Sequence, residues 1–332
     1  MRLLVTGGAG YVGSVLVPML IDRGYDVRIV DIGMFGTGHV DPRAELIQGD
    51  VLDFQPSWLD GVDGGVHLAG LSNDPMAAFS PNLNYLLNAS GTAIVAHAAK
   101  EAGLRRFVFG STCSVYGLND SAEVNEDHDV NPSFPYAVSK LMGERCVTCL
   151  ADDDFRPIIL RKGTVVGWSP RMRFDLVTNA MVKSAVTQGR ITVHNASLWR
   201  PVIDVTDAAR AYIKALEAEP TVTGIFNIAA RNYSIGELAE VVAETLREFD
   251  IRVLLVMDHR QDVRSYRVST QRATRLLKFR AHVPMKETVR RIMRQLNLGM
   301  VSDFEDPCYY NVEQMKRVLT DEIAPRRMLK AA

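Results

Sequence analysis

The chain has 332 residues, 47% of them hydrophobic and 23% charged, and its 38 basic and 39 acidic side chains give a formal net charge of −1. That length carries one large α/β domain or two coupled ones, and the near-neutral balance speaks against nucleic acid or an anionic membrane as partner. No run of about 18 apolar residues occurs, so no membrane span is expected, and a strand pattern directly after Met1 leaves no room for a signal peptide.

Leu3, Leu4 and Val5 read as a short buried strand, followed by Gly7, Gly10 and Gly13 in Gly-x-x-Gly-x-x-Gly spacing and a helix running toward Leu20. Gly7 lets the chain turn sharply, Gly10 lets backbone approach a pyrophosphate, and Gly13 lets helix and strand pack closely. The helix N-terminus offers free N–H groups and partial positive charge to phosphates. A second strand, Asp26 to Asp31, ends in a carboxylate 18 residues past Gly13, where the ribose hydroxyls of NAD are bound; a 2′-phosphate would be repelled there, so NAD is expected over NADP.

Ala44 to Asp50 reads as a third strand, and Gly64 to Gly70 as a fourth strand and its turn, with small Ala69 and Gly70 where backbone passes a cofactor. His67 reads as a packed core histidine. Asn82 to Ala102 is a long helical pattern, Arg106 to Gly110 a fifth strand, Tyr136 to Leu150 a helix and Pro157 to Arg161 a sixth strand. This alternation predicts a Rossmann-type, doubly wound parallel sheet with its ligands at the carboxyl ends of the strands. Residues 1–162, with parts of 201–250, are expected to form that domain, and 163–200 and 251–332 a smaller C-terminal substrate-binding lobe. Cys113, Cys146, Cys149 and Cys308 make no disulfide framework, and the Cys-x-x-Cys of 146–149 lies in a helical pattern, so no metal is expected and the cytoplasm is the default compartment.

Tyr136 and Lys140 lie four residues apart, on one helical face. An ammonium beside a phenol lowers the phenol's pKa from about 10 toward neutrality, so that it takes a proton from an alcohol as hydride leaves. Thr112, just past a strand, is placed to bridge a substrate oxygen and that tyrosine.

Gly7-Gly8-Ala9-Gly10-Tyr11-Val12-Gly13, Asp31, Gly49-Asp50-Val51, His67-Leu68-Ala69-Gly70, Asn88 to Thr92, Ser111-Thr112, Val115-Tyr116-Gly117 and Tyr136-x-x-x-Lys140 occur in that order. Together they resemble the extended short-chain dehydrogenase/reductase family, in its NAD-dependent sugar-nucleotide epimerase/dehydratase branch. Arg161, Gly167, Arg200 to Val205 and Asp262-Val263-Arg264 extend the resemblance into the lobe. The resemblance implies a catalytic set of Thr112, Tyr136 and Lys140. It implies NAD contacts from Gly7, Gly10, Tyr11, Val12, Asp31, Asp50, Val51, Leu68, Ala69 and Lys140. It also implies that Asn179, Arg200 and Arg264 hold the nucleotide diphosphate, and that the long helices 82–102 and 136–150 pair into a homodimer, with apolar contacts from Met142 and Val147.

Three departures narrow the chemistry. Cys113 and Ser114 stand where the dehydratases carry an acid pair, and the glutamate of the related decarboxylases is absent. Lys162-Gly163-Thr164 lacks the Phe-Asn usual in UDP-galactose 4-epimerases, which leaves the sugar open. The expected activity is transient oxidation at C4 of a nucleotide sugar, as in a 4-epimerase. An oxidoreductase releasing a keto or reduced sugar and a non-catalytic NAD-binding sensor are the alternatives, the sensor having no need of Tyr136 as a base.

Overall fold

In the computed structural model, which describes residues 1–118, 123–258 and 265–320, Leu3, Leu4 and Val5 are almost wholly buried in the strand β1 (Arg2–Thr6). A continuous apolar run of this kind belongs to a strand covered on both faces. The helix α1 (Gly13–Ile21) leads to β2 (Asp26–Asp31), then β3 (Glu45–Gln48) and β4 (Gly64–His67). The helices α2 (Asp74–Phe79), α3 (Pro81–Tyr85) and α4 (Thr92–Glu101) precede β5 (Arg106–Thr112), and α5 (Pro135–Cys149) precedes β6 (Ile158–Lys162). Next come β7 (Thr164–Val166), α6 (Val177–Gln188), β8 (Arg190–His194), β9 (Trp199–Asp204), α7 (Val205–Leu216) and β10 (Gly224–Ile228). The chain continues through β11 (Arg231–Ser234), α8 (Ile235–Leu246), β12 (Leu254–Asp258), α9 (Gln271–Leu276), α10 (Met285–Asn297) and α11 (Asn311–Thr320).

Seven strands form one parallel sheet in the order β10-β6-β5-β4-β1-β2-β3. The order reverses between β1 and β4, so a crevice opens above their carboxyl ends. α1 and α7 cover one face, with Leu16, Leu20, Tyr212 and Ile213 buried against Val5 and Val108. α4 and α5 cover the other, with Val95, Ala99 and Val147 against Phe107 and Phe109. The lobe has its own core, in which Met181 and Val182 of α6, Leu238 and Val242 of α8 and Val289 and Ile292 of α10 meet. Two segments expected in the lobe pack elsewhere. Ala273 and Leu277 around α9 bury against the α7 face, and Met315 and Val318 of α11 join the α4 face, because their apolar sides find the larger core. No helix among the described residues is long and apolar enough to cross a membrane.

The expected single helix over 82–102 is interrupted. Leu86–Gly91 forms a π-helical turn between α3 and α4. Within that turn the Asn88 side-chain amide donates to the Leu71 carbonyl, to Asn84 and to Ser139. Leu86 in that turn and Ile94 of α4 are 37% and 36% exposed, and Met142 of the neighbouring α5 is 46% exposed. Val147, expected at a subunit surface, is instead fully buried within the subunit.

A sealed ion pair holds α5 to the sheet. Arg161 of β6 meets Glu144 of α5 at 2.7 Å, and the two side chains are 4% and 2% exposed. Glu144 also accepts from Ser111 Oγ, and Arg161 donates to Tyr116 Oη at 3.1 Å. Removing one member of a buried pair strands the other charge, at a cost of about 3–5 kcal/mol. Glu144→Ala should lower the urea-unfolding free energy by about that amount; a loss below about 1 kcal/mol would show that the pair does not hold the helix.

Candidate functional site

A cavity of about 1540 Å³ occupies the crevice and runs on beneath the lobe. Its walls include Gly7, Gly10, Tyr11, Val12, Asp31, Asp50, Val51, Leu68, Ala69, Thr112, Tyr136, Lys140 and Arg200. Thus every expected cofactor and catalytic residue lines one space.

The glycine-rich turn is shaped by close approach. Gly7 has φ +73°, and a Cβ there would lie 2.6 Å from the Ala69 nitrogen. A Cβ on Gly13 would meet the carbonyl oxygens of Gly7 and Gly8 at 2.5 Å. Around Gly10 only the Gly7 carbonyl lies near, so the front of the turn faces open cavity at the start of α1. Asp31 stands at the end of β2, one oxygen accepting from Ala9 N at 3.0 Å and the other from Gly33 N at 2.9 Å. Burial raises the Asp31 pKa while those amides oppose the rise. Each carboxylate oxygen keeps further acceptor capacity for a ribose hydroxyl. Asp50 accepts from Leu52 N at 2.9 Å and caps the short turn that presents Val51. An open phosphate cradle, a carboxylate at the ribose position and small Ala69 along the wall together fit NAD.

At the other end, Thr112 closes β5 and lines the cavity together with Tyr136. Its Oγ1 also donates to Ser114 Oγ at 3.1 Å. Lys140 is buried one turn along α5, its ammonium 4.3 Å from the centre of the Phe109 ring. The expected depression of the phenol by this lysine is not what the structure shows. Burial, and behind it Asp74, push the Tyr136 pKa upward, while Arg173 and the Thr112 hydroxyl oppose the rise. Lys140 is itself stripped of water, and burial together with Lys162 lowers its pKa to about 7. Lys162 sits beside Thr112 in the β5–β6 register, donates to Tyr212 Oη at 2.6 Å and is lowered by burial to about 8.

His67 is the core histidine expected, bonded to Thr6 at 2.6 Å and to Thr92 at 3.1 Å. Asn179, expected to face the substrate, is wholly buried. It accepts from Gly167 N at 2.9 Å and donates to Tyr11 Oη at 3.1 Å and to the Arg173 carbonyl at 2.8 Å, so it braces the wall instead of lining it. Tyr11 Oη in turn donates to the Gly167 carbonyl at 2.6 Å, tying the glycine-rich turn to the lobe. Arg264 lies outside the described residues. Arg171 and Arg173, which the sequence reading passed over as site residues, both line the cavity. Their visible signal is two arginines two apart after Trp168-Ser169-Pro170. The four cysteines are free, and no metal-ligand cluster occurs among the described residues.

Comparison with known proteins agrees with this geometry. The profile of the NAD dependent epimerase/dehydratase family matches residues 3–229. A UDP-glucose 4-epimerase of Lactobacillus helveticus is 31% identical over 268 residues, covering 72% of this chain and 80% of that protein. A UDP-glucose 4-epimerase of Corynebacterium glutamicum is 31% identical over 265 residues, covering 74% and 80%. The solved structure of MoeE5 in complex with UDP-glucose and NAD superposes with a TM-score of 0.79 at 25% identity, covering 91% of this chain and 100% of that one.

The folded protein releases the Lys140 proton from about pH 7, whereas an unfolded lysine keeps it to about 10.4. Between those values the unfolded state binds more protons, so the penalty of the buried charge, complete below about pH 7, fades as pH rises. Lys140→Met should therefore stabilise the protein most near pH 6, with the gain shrinking by up to about 1.4 kcal/mol per pH unit above pH 7. Urea unfolding across that range would show it; a gain that does not change with pH would refute the assignment.

Proposed function

We propose, for a chain that belongs to the NAD-dependent epimerase/dehydratase family, that it is a 4-epimerase of a nucleotide-activated sugar and that a uridine diphosphate sugar is its substrate class. The observation that carries this reading is that Thr112, Tyr136 and Lys140 line one cavity, beside two positions that lack an acid. Cys113 is buried and its thiol points to the Arg161 carbonyl at 3.0 Å, while Ser114 is bonded to Thr112. A 4-keto sugar held here meets no acid pair at those positions to eliminate water. The UDP-sugar assignment draws support from the relatives' names and from MoeE5, crystallised with UDP-glucose.

Tyr136 removes the proton from the C4 hydroxyl. Burial holds the Tyr136 phenol up in the free protein, and the Arg173 charge works against that rise. NAD, when bound, supplies the acceptor for the C4 hydride and its return to the opposite face. Arg200, in the cavity wall with its Nη1 on the Trp199 carbonyl at 2.9 Å, is assigned to the nucleotide diphosphate, for which a planar guanidinium is suited. Arg264 keeps the same assignment from sequence alone. The reading includes a cytoplasmic enzyme, supported by the free cysteines. It also includes a homodimer through α4 and α5, supported by exposed Leu86, Ile94 and Met142 on neighbouring helices.

A substrate deuterated at C4 tests the outcome. Retained deuterium, inverted C4 and no net NADH are expected, whereas stoichiometric NADH or a need for added reductant would give the case to an oxidoreductase. Tyr136→Phe should keep the fold and lose about 10²–10⁴-fold in turnover; a near wild-type rate would remove Tyr136 from the mechanism. Ile94→Glu combined with Met142→Glu should give a monomer where the parent sediments as a dimer, and a parent monomeric at micromolar concentration would contradict the dimer.

A further inference from the structure

We propose that Arg171 clamps the pyrophosphate of bound NAD from above, so that the C-terminal lobe supplies half of the cofactor site. The guanidinium is 4% exposed and lines the cavity. It stacks on Phe35 at 3.7 Å from the ring centre and donates from Nη2 to Asn311 Oδ1 at 2.6 Å. Its Nε has no hydrogen-bond partner, and no carboxylate lies within ion-pair distance of it among the described residues. A buried cation without a counter-charge is costly and calls for an anion.

The charges around it do not meet that need. Asp175 is taken by Arg173, which grips it at 2.8 and 3.0 Å. Asp31 stands farther off with each oxygen already accepting a backbone amide. Arg173 adds like charge and, with burial, presses the Arg171 pKa below its ordinary value.

Position identifies the anion. The Arg171 backbone nitrogen lies 3.4 Å from Ser14 Oγ, in the first turn of α1. Its platform, Phe35, follows the β2 end that carries Asp31. The guanidinium thus sits between the phosphate-binding turn and the adenosine end, where a dinucleotide places its pyrophosphate. An arginine fork suits that group because it forms two charge-assisted bonds at once. A sugar nucleotide carries a diphosphate too, but its reacting sugar must lie at Tyr136, and the Arg200 assigned to it approaches from β9. Asn311 of α11 fixes the clamp from behind and also donates to Ser72 at 2.8 Å.

Fluorescence titration with NADH, and its displacement by NAD, ADP-ribose and UDP, tests the clamp without turnover. Arg171→Met should weaken NAD and ADP-ribose by about 10–100-fold, speed NADH release correspondingly, and leave UDP within about twofold. Unchanged NAD affinity would overturn the proposal. So would a loss confined to UDP, which would assign Arg171 to the substrate, or an equal loss for both ligands, which would mark a general effect on the fold. Should Arg171→Met fail to fold, Arg171→Gln keeps a donor for Asn311 and drops only the charge. Wild-type NAD affinity in that variant would equally overturn the clamp.

Discussion

The placement of Thr112, Tyr136 and Lys140 depends on one buried ion pair. Tyr136, Lys140 and Glu144 lie at successive turns along one side of α5. Glu144 is locked by the Arg161 fork, by Ser111 and, through Arg161 and Tyr116, to Asn227 of β10 at 2.8 Å. These contacts set both the height and the rotation of the helix over the strand ends. Thr112 follows Ser111 directly, so the network that fixes the helix also fixes the end of β5 on which Thr112 stands. Such a pair adds little net stability over an apolar pair of equal volume. Its value lies in permitting a single register between β5, β6 and α5.

The parts of this architecture legible in the sequence are local ones. The glycine spacing, Asp31 at a strand end and Tyr136 four before Lys140 each rest on the period of one element and its neighbouring turn. The doubly wound parallel sheet follows from β–α alternation. Interactions between distant segments were not legible. Glu144 continues the spacing of Tyr136 and Lys140, but its meaning comes from Arg161 across the sheet. Asn179 resembles a substrate ligand until its contact with Tyr11, 168 residues away, is known. The π turn holds Asn88 against three partners, and the elevated phenol of Tyr136 reflects burial, which residue spacing does not encode.

The misplacement of Asn179 has a structural meaning. Tyr11 Oη, the Gly167 carbonyl and Asn179 form a closed set, and Ser14 joins Ser169 at 2.8 Å beside it. The glycine-rich turn, through Tyr11, and the first turn of α1, through Ser14, are therefore each bonded to the segment after Gly167. These bonds fix the position of the glycine-rich turn against the segment that carries Arg171.

The same cavity holds buried cations that no carboxylate among the described residues pairs directly. Lys140 and Lys162 are lowered by burial, and Arg171 lacks an acid partner, while Asp175 is committed to Arg173. Folding alone leaves this imbalance, so part of the stability of the fold is given up at the site. A dinucleotide and a nucleotide sugar each bring a diphosphate, and their negative charge fits what the walls lack. Ligands that bind only the folded state then add stability by mass action. A site built in this way favours keeping its cofactor through the catalytic cycle, as an enzyme must when it returns to the sugar the hydride it has just removed.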